Sequence, residues 1–291
     1  MGAYFFLILV GILSGSVGAL IGVGGGFIAV PIMFMVLGLS PQVVVGISLA
    51  MSFCNALSGS VTFWRQRRID LSAGWKFALA TIPGAVFGSH LAGYFTDRSF
   101  SIVFGTLLVL LAVLMYYNSR SQKSIEKNPN QNPNPHNNNS NLDRLSNNNI
   151  KKINSIGWVE RKFQDAEGKE YCYAFNEYLG IGVSSGVGFI SSILGIGGGI
   201  IHMPFMVMIL KFPPHVAAAT SLFILSWSAL VGSITHFILG HFQWPMAVAL
   251  SAGGVLGAQI GARVSSKINP RNLIRIFAVA LVVVGLRLVV G

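Results

Sequence analysis

The sequence predicts an all-α membrane protein of two inverted repeats, each a glycine-broken helical hairpin followed by three transmembrane helices. A polar linker joins the repeats. Three observations lead there: long apolar stretches with few charges, a gapless internal match at an offset of 173 residues, and opposed distributions of basic residues in the two halves.

Composition sets the solvent. Of 291 residues, 53% are hydrophobic and 10% charged, where a soluble domain carries about 25% charged residues. Apolar stretches cover 3–38, 42–63, 73–95, 99–117, 178–211, 214–239, 245–262 and 272–291. Stretches of about 18 or more residues with few charges read as membrane helices. The first has no basic n-region and reads as a membrane segment rather than a cleaved signal peptide. Cys54 and Cys172 are placed for neither a disulfide framework nor a metal site, and no cofactor is expected.

The formal charge of +11 does not indicate nucleic acid. Residues 119–177 hold nine Lys/Arg against seven Asp/Glu, and elsewhere eleven Lys/Arg face only Asp70 and Asp97. Those cations fall in short loops and at segment ends, where they orient a membrane protein.

Sliding the chain by 173 residues superposes Gly22, Gly24, Gly25 and Gly26 on Gly195, Gly197, Gly198 and Gly199. Pro31 meets Pro204, Pro41 meets Pro214, and Ser48-Leu49 meets Ser221-Leu222. Gly84-Ala85 and Gly88 meet Gly257-Ala258 and Gly261. One register with this many identities indicates duplication.

Charge then orients the halves. Arg65, Arg67 and Arg68 follow the second stretch of the first half, while residues 238–244 carry no Lys or Arg. In the next loop Arg98 stands alone against Arg263, Lys267, Arg271 and Arg275. Placing both basic loops in the cytoplasm inverts one half relative to the other, as in many secondary transporters. It also puts the linker in the cytoplasm and both termini outside.

Each half must then cross the membrane an odd number of times. Residues 3–38 are too long for one span, since 36 residues of helix would reach about 54 Å against a core of about 30 Å. Four glycines and a proline lie in the middle, so the stretch reads as a hairpin of two short or broken helices, and residues 178–211 repeat it. Three spans follow in each half, giving repeats at 1–118 and 178–291. Residues 119–155 are rich in Asn, Pro and Ser and read as disordered. Within 156–177, two strand-like runs flank Asp165-Ala166-Glu167-Gly168 and read as a small β-hairpin.

Paired glycine breaks at matching places point to a transporter binding site, because a helix restarting after a break presents unpaired amides to the cavity. Such an end suits an anion. Close helix packing is the competing role for the same glycines. No apolar stretch carries a central Asp or Glu, which argues against a metal-cation carrier. The expected solute contacts are Gly22, Gly24, Gly25, Gly26, Ser48 and Asn55 in the first half. Their partners in the second are Gly195, Gly197, Gly198, Gly199, Thr220, Ser221, His202 and His236. Ser52, Ser228 and Gln259 are weaker candidates, as are His90 and Arg263, which align with each other. Membrane serines and histidines occur, but no spacing pairs a nucleophile with a base, so an enzyme is not expected.

The duplicated G-x-G-G-G-x-x-x-x-P motif, from Gly22 to Pro31 and from Gly195 to Pro204, resembles the TauE/SafE family of sulfite exporter-like membrane proteins. The Gly-Ala-x-x-Gly runs at 84–88 and 257–261 are also similar to that family. The resemblance implies a plasma-membrane carrier of sulfite, an organosulfonate or a related sulfur oxyanion, working by alternating access. The expected partners are that small anion and the bilayer, not nucleic acid, and a homo-oligomer is compatible with the sequence. An anion channel, or a sensor or scaffold acting through the linker, are the alternatives.

Overall fold

The computed structural model describes residues 2–125, 157–168, 170–264, 282–283 and 285–288. The first half contains α1 (Gly2–Ile21), α2 (Gly26–Leu37), α3 (Pro41–Arg65), α4 (Leu71–Ala92) and α5 (Asp97–Ile125). Strands β1 (Trp158–Gln164) and β2 (Glu170–Asn176) follow, then α6 (Glu177–Leu194), α7 (Gly199–Met208), α8 (Pro214–Ile238) and α9 (Trp244–Val264). Shifted by 173, α3 coincides with α8 at both ends. The protein is mostly helical, and α1, α3, α6, α8 and α9 are long and apolar enough to cross a membrane.

The structure sharpens three expectations. The first hairpin is broken at the glycines and unequal: α1 has 20 residues, about 30 Å, and only α2 with 12 residues is short. The chain breaks at the glycines alone, because Pro31 and Pro204 lie inside α2 and α7. Helix α5 runs to Ile125, past the expected linker start at 119, since no Gly or Pro lies between Gly105 and Pro129. The rest of the expected disordered tract, 126–155, and most of the final stretch 272–291 lie outside the described residues.

The helices pack through small residues, as membrane helices do. A methyl at Gly11, Gly253 or Gly257 would run into backbone of the facing helix in the α1–α9 pair. A methyl at Gly84, Gly88 or Gly188 would do the same in the α4–α6 pair. These pairs are equivalent under the 173 shift, so each half's first helix packs against the fourth helix of the other half. The matched Gly-Ala-x-x-Gly runs are the contact stripes of those pairs. Phe5, Leu9 and Leu13 on α1, and Ile234, Phe237 and Ile238 on α8, are exposed outward. Lipid accommodates such a surface; water would not.

Helices α3 and α8 form the central pair. At one end, a side chain at Gly46 of α3 would meet the His241 carbonyl just after α8. At the other, the Asp70 amide, just past α3, donates to Thr220 Oγ1 in the first turns of α8 at 3.0 Å.

The expected hairpin is present: β1 and β2 pair antiparallel from Trp158↔Asn176 to Gln164↔Glu170. Alternation sends Tyr171, Tyr173 and Phe175 to one face, where they are buried. Phe175 and Tyr173 pack at a tilt against Phe212 between α7 and α8, with centroids at 4.8 and 4.5 Å. The hairpin therefore sits across the α3–α4 turn and the α7–α8 turn.

Candidate functional site

The two glycine breaks meet at the centre of the molecule. Gly22 and Gly24 have φ of +81° and +78°, and Gly195, Gly197 and Gly198 have +73°, +71° and +85°. Residues with a Cβ rarely adopt this backbone, which turns the chain sharply between a long helix and a short one. After Ile21, the amides of Gly22, Val23 and Gly24 all converge on the Gly18 carbonyl at 2.9–3.2 Å. Helices α2 and α7 restart from Gly25 and Gly198 with no side-chain cap.

The breaks are in mutual contact. A methyl at Gly26 would lie 2.6 Å from the Gly195 carbonyl and 2.9 Å from Ser52 Oγ. A methyl at Gly199 would run into the Val23 carbonyl. Glycine here serves close approach as well as turning.

Serines cross-link the two breaks. Ser48 Oγ on α3 donates to the Gly195 carbonyl of the other half at 2.8 Å. Ser221 Oγ on α8 donates to the Gly22 carbonyl at 2.6 Å. The bonds are equivalent under the 173 shift, and both serines are fully buried. Each half's third helix thus holds the opposite half's break. In this arrangement both hydroxyl protons are committed to backbone.

Other buried hydroxyls stand nearby without partners among the described residues: Ser52 Oγ beside Gly26 and Gly197, and Ser191 Oγ beside Gly198. Ser228 Oγ and Asn55 Oδ1, equivalent in the repeat, are also unpartnered, while Asn55 Nδ2 reaches the Gly15 carbonyl at 3.3 Å. Unmatched buried polar atoms are uncommon and call for a reason. Ser191 has no signal in the repeat, since Gly18 occupies its equivalent position.

The remaining sequence candidates lie elsewhere. Thr220 belongs to the hairpin end, accepting from Asp70. His202 Nε2 lies 2.9 Å from Ser184 Oγ, whose own proton goes to the Gly180 carbonyl, so the imidazole is the donor and ties α7 to α6. His236 sits near the end of α8, with Nε2 at 3.3 Å from the Ser192 carbonyl. That nitrogen must carry the proton, leaving Nδ1 to accept from His241 at 3.3 Å. Gln259 bonds Ser58 Oγ at 2.7 Å and joins α9 to α3. His90 and Arg263 are exposed in the last turns of α4 and α9, away from the breaks.

Among the described residues, the buried charged side chains are Arg68, Asp70 and Asp165, all at the hairpin end. The centre therefore offers hydroxyls, amides and backbone carbonyls. Asp70, not anticipated as a functional group, is the node of the hairpin end. Its carboxylate accepts from Tyr173 Oη at 2.7 Å and Ala73 N at 3.0 Å, and lies 3.6 Å from Arg161 Nε. Burial, and then Asp70, push the Tyr173 phenol well above its ordinary range. Arg68 pairs with Asp165 at 3.7 Å and Glu167 at 3.0 Å.

The profile of the family described as "Sulfite exporter TauE/SafE" matches residues 7–288. The chain belongs to this family. It is 30% identical to "Probable membrane transporter protein YunE" of Bacillus subtilis, over 99% of this chain and 97% of that one. A protein of Methanocaldococcus jannaschii, also named a probable membrane transporter, is 24% identical over 96% of this chain and 93% of its own. No solved structure matches the chain. It is a multi-pass membrane transporter of the TauE/SafE type, and nothing in its similarities points to catalysis.

Proposed function

We propose that this TauE/SafE member is a secondary transporter that moves sulfite, an organosulfonate or a related sulfur oxyanion by alternating access. The observation that carries the reading is the reciprocal tie of Ser48 to Gly195 and of Ser221 to Gly22. A site built equally by two repeats, with uncapped helix starts and hydroxyls but no buried carboxylate, suits a small anion. The family's description as a sulfite exporter points to the same solute class.

The inverted arrangement is supported by the opposed courses of α3 and α8, whose opposite ends meet at Gly46–His241 and at Asp70–Thr220. Rocking of the halves about that pair would break one serine tie before the other and expose the breaks to each side in turn. The basic loops support a cytoplasmic hairpin in a plasma-membrane protein, with both termini outside.

Sulfite flux into proteoliposomes, competed by thiosulfate, sulfate, taurine and chloride, tests the reading. Saturable uptake blocked by a sulfur anion is expected. Folded protein that moves none of them would overturn the anion assignment, and conductance without saturable exchange would indicate a channel.

A further inference from the structure

The α3–α4 turn and strand β1 border an open pocket of about 320 Å³, lined in part by Trp64, Arg67, Asp70, Leu71, Arg161 and Lys162. Three cations and one carboxylate line it, and that carboxylate is committed to Tyr173, Ala73 and Arg161. Among the described residues no carboxylate reaches the Arg67 guanidinium. Among the same residues Lys162 has only Glu160, at 4.0 Å and on the exposed side of the strand.

Arg67 holds its place against its own backbone preference. Its φ is +53°, in the left-handed region, because α3 ends in a Schellman turn. Arg67 N donates to Trp64 O at 2.9 Å and Arg68 N to Phe63 O at 3.1 Å. The equivalent turn after α8 has the same two bonds, and there the left-handed residue is Gly240. Lys211, the other non-glycine residue with positive φ among the described residues, likewise stands where the first half has Gly38. Both substitutions of a cation for glycine fall beside the hairpin. A side chain in this conformation is disfavoured by about 1 kcal/mol or more, so the charge at 67 is held at a backbone cost that the repeat shows glycine would avoid.

We propose that this pocket binds the phosphate of an anionic phospholipid. Arg67, Arg161 and Lys162 surround the phosphate, and Trp64 and Leu71 contact the glycerol and acyl chains. The apolar wall favours a lipid over a free anion. Trp64 ends an exposed stripe with Leu57 and Val61 on α3, and Leu71 begins another with Trp75 and Leu79 on α4. Basic pockets at the ends of membrane helices recognise acidic headgroups in this way. Lipid binding at this place is independent of which solute is carried.

The test is native mass spectrometry of the detergent-purified full chain, titrated with phosphatidylglycerol or phosphatidylcholine. Wild type should prefer phosphatidylglycerol. Arg67→Gly and Lys162→Gln should each weaken that lipid about fivefold, with phosphatidylcholine unaffected. Arg67→Gly should melt no lower than wild type, because glycine suits the turn; Lys162→Gln, at an exposed strand position, gives a second reading should that variant fail to fold. Equal binding of both lipids by wild type, or unchanged phosphatidylglycerol binding in the variants, would overturn the proposal. Displacement of the lipid by millimolar inorganic phosphate would also overturn it, in favour of a soluble phosphate ligand.

Discussion

Ser48→Ala and Ser221→Ala test the central contact directly. Each removes one buried hydrogen bond, of 2.8 Å and 2.6 Å respectively. Each also leaves a carbonyl at a break, Gly195 or Gly22, without its donor. An unsatisfied buried acceptor costs about 1–3 kcal/mol. At about 2–4 °C per kcal/mol, each variant should melt about 2–12 °C below wild type in detergent. The two shifts should be of similar size, because the bonds are equivalent in the repeat. Ser89→Ala is the control, since Ser89 Oγ only bonds back to Ala85 O within its own helix, at 2.9 Å, and should shift melting by less than about 2 °C. The double variant should depart from additivity, because both ties hold the same pair of touching breaks. Two serine variants that melt like Ser89→Ala would refute the reciprocal tie, and so would a large effect at one serine with none at the other.

Gly25→Ala and Gly198→Ala should abolish sulfite flux while leaving expression intact; Gly198 by its φ of +85°, Gly25 by the contact of an added methyl with the Ser14 backbone at 2.9 Å. Unchanged flux in both would remove the breaks from the site. Tyr173 should remain unionised above the pH at which a free phenol titrates, about 10, read by ultraviolet difference absorbance. A pKa raised on folding gives stability that is complete below the unfolded value and is lost as pH rises through the folded one. Wild type should therefore lose more stability than Tyr173→Phe between pH 9 and pH 11, about two units around that value; equal losses would count against the buried Tyr173–Asp70 bond. Cys172, exposed on the hairpin, should react with a membrane-impermeant maleimide in permeabilised but not intact cells, in a Cys54→Ala background. Labelling of intact cells would place the hairpin outside.

The breaks were legible in the sequence because glycines kept at matched positions of a duplicated chain mark places where the backbone must turn or be closely approached. Ser48 and Ser221 were legible because they match in the same register. Thr220 entered the expected site with Ser221 as a hydroxyl following the second break, but one residue along a helix turns about 100°. That rotation sends Thr220 to Asp70 and Ser221 to Gly22. His236 and His202 were read from their apolar surroundings, which report burial without saying what each ring touches. Asp70 was passed over because a carboxylate at a segment edge looks like an ordinary cap. It is one, to Ala73, but it also joins the hairpin to α4.

From the sequence alone came the lipid solvent, the duplication, the break positions, the hairpin's strands and turn, and the family. Each depends on local composition, or on spacing along one chain, and needs no knowledge of which surfaces meet. Only the tertiary structure decided that the fourth helix of each half packs on the first helix of the other, and that each serine tie crosses between halves. Such exchange depends on which glycine stripes fit together at backbone distance, and that is a property of two surfaces at once. The same holds for Arg67: the sequence shows an arginine in a basic loop, and only its φ beside that of Gly240 shows that it occupies a position made for glycine.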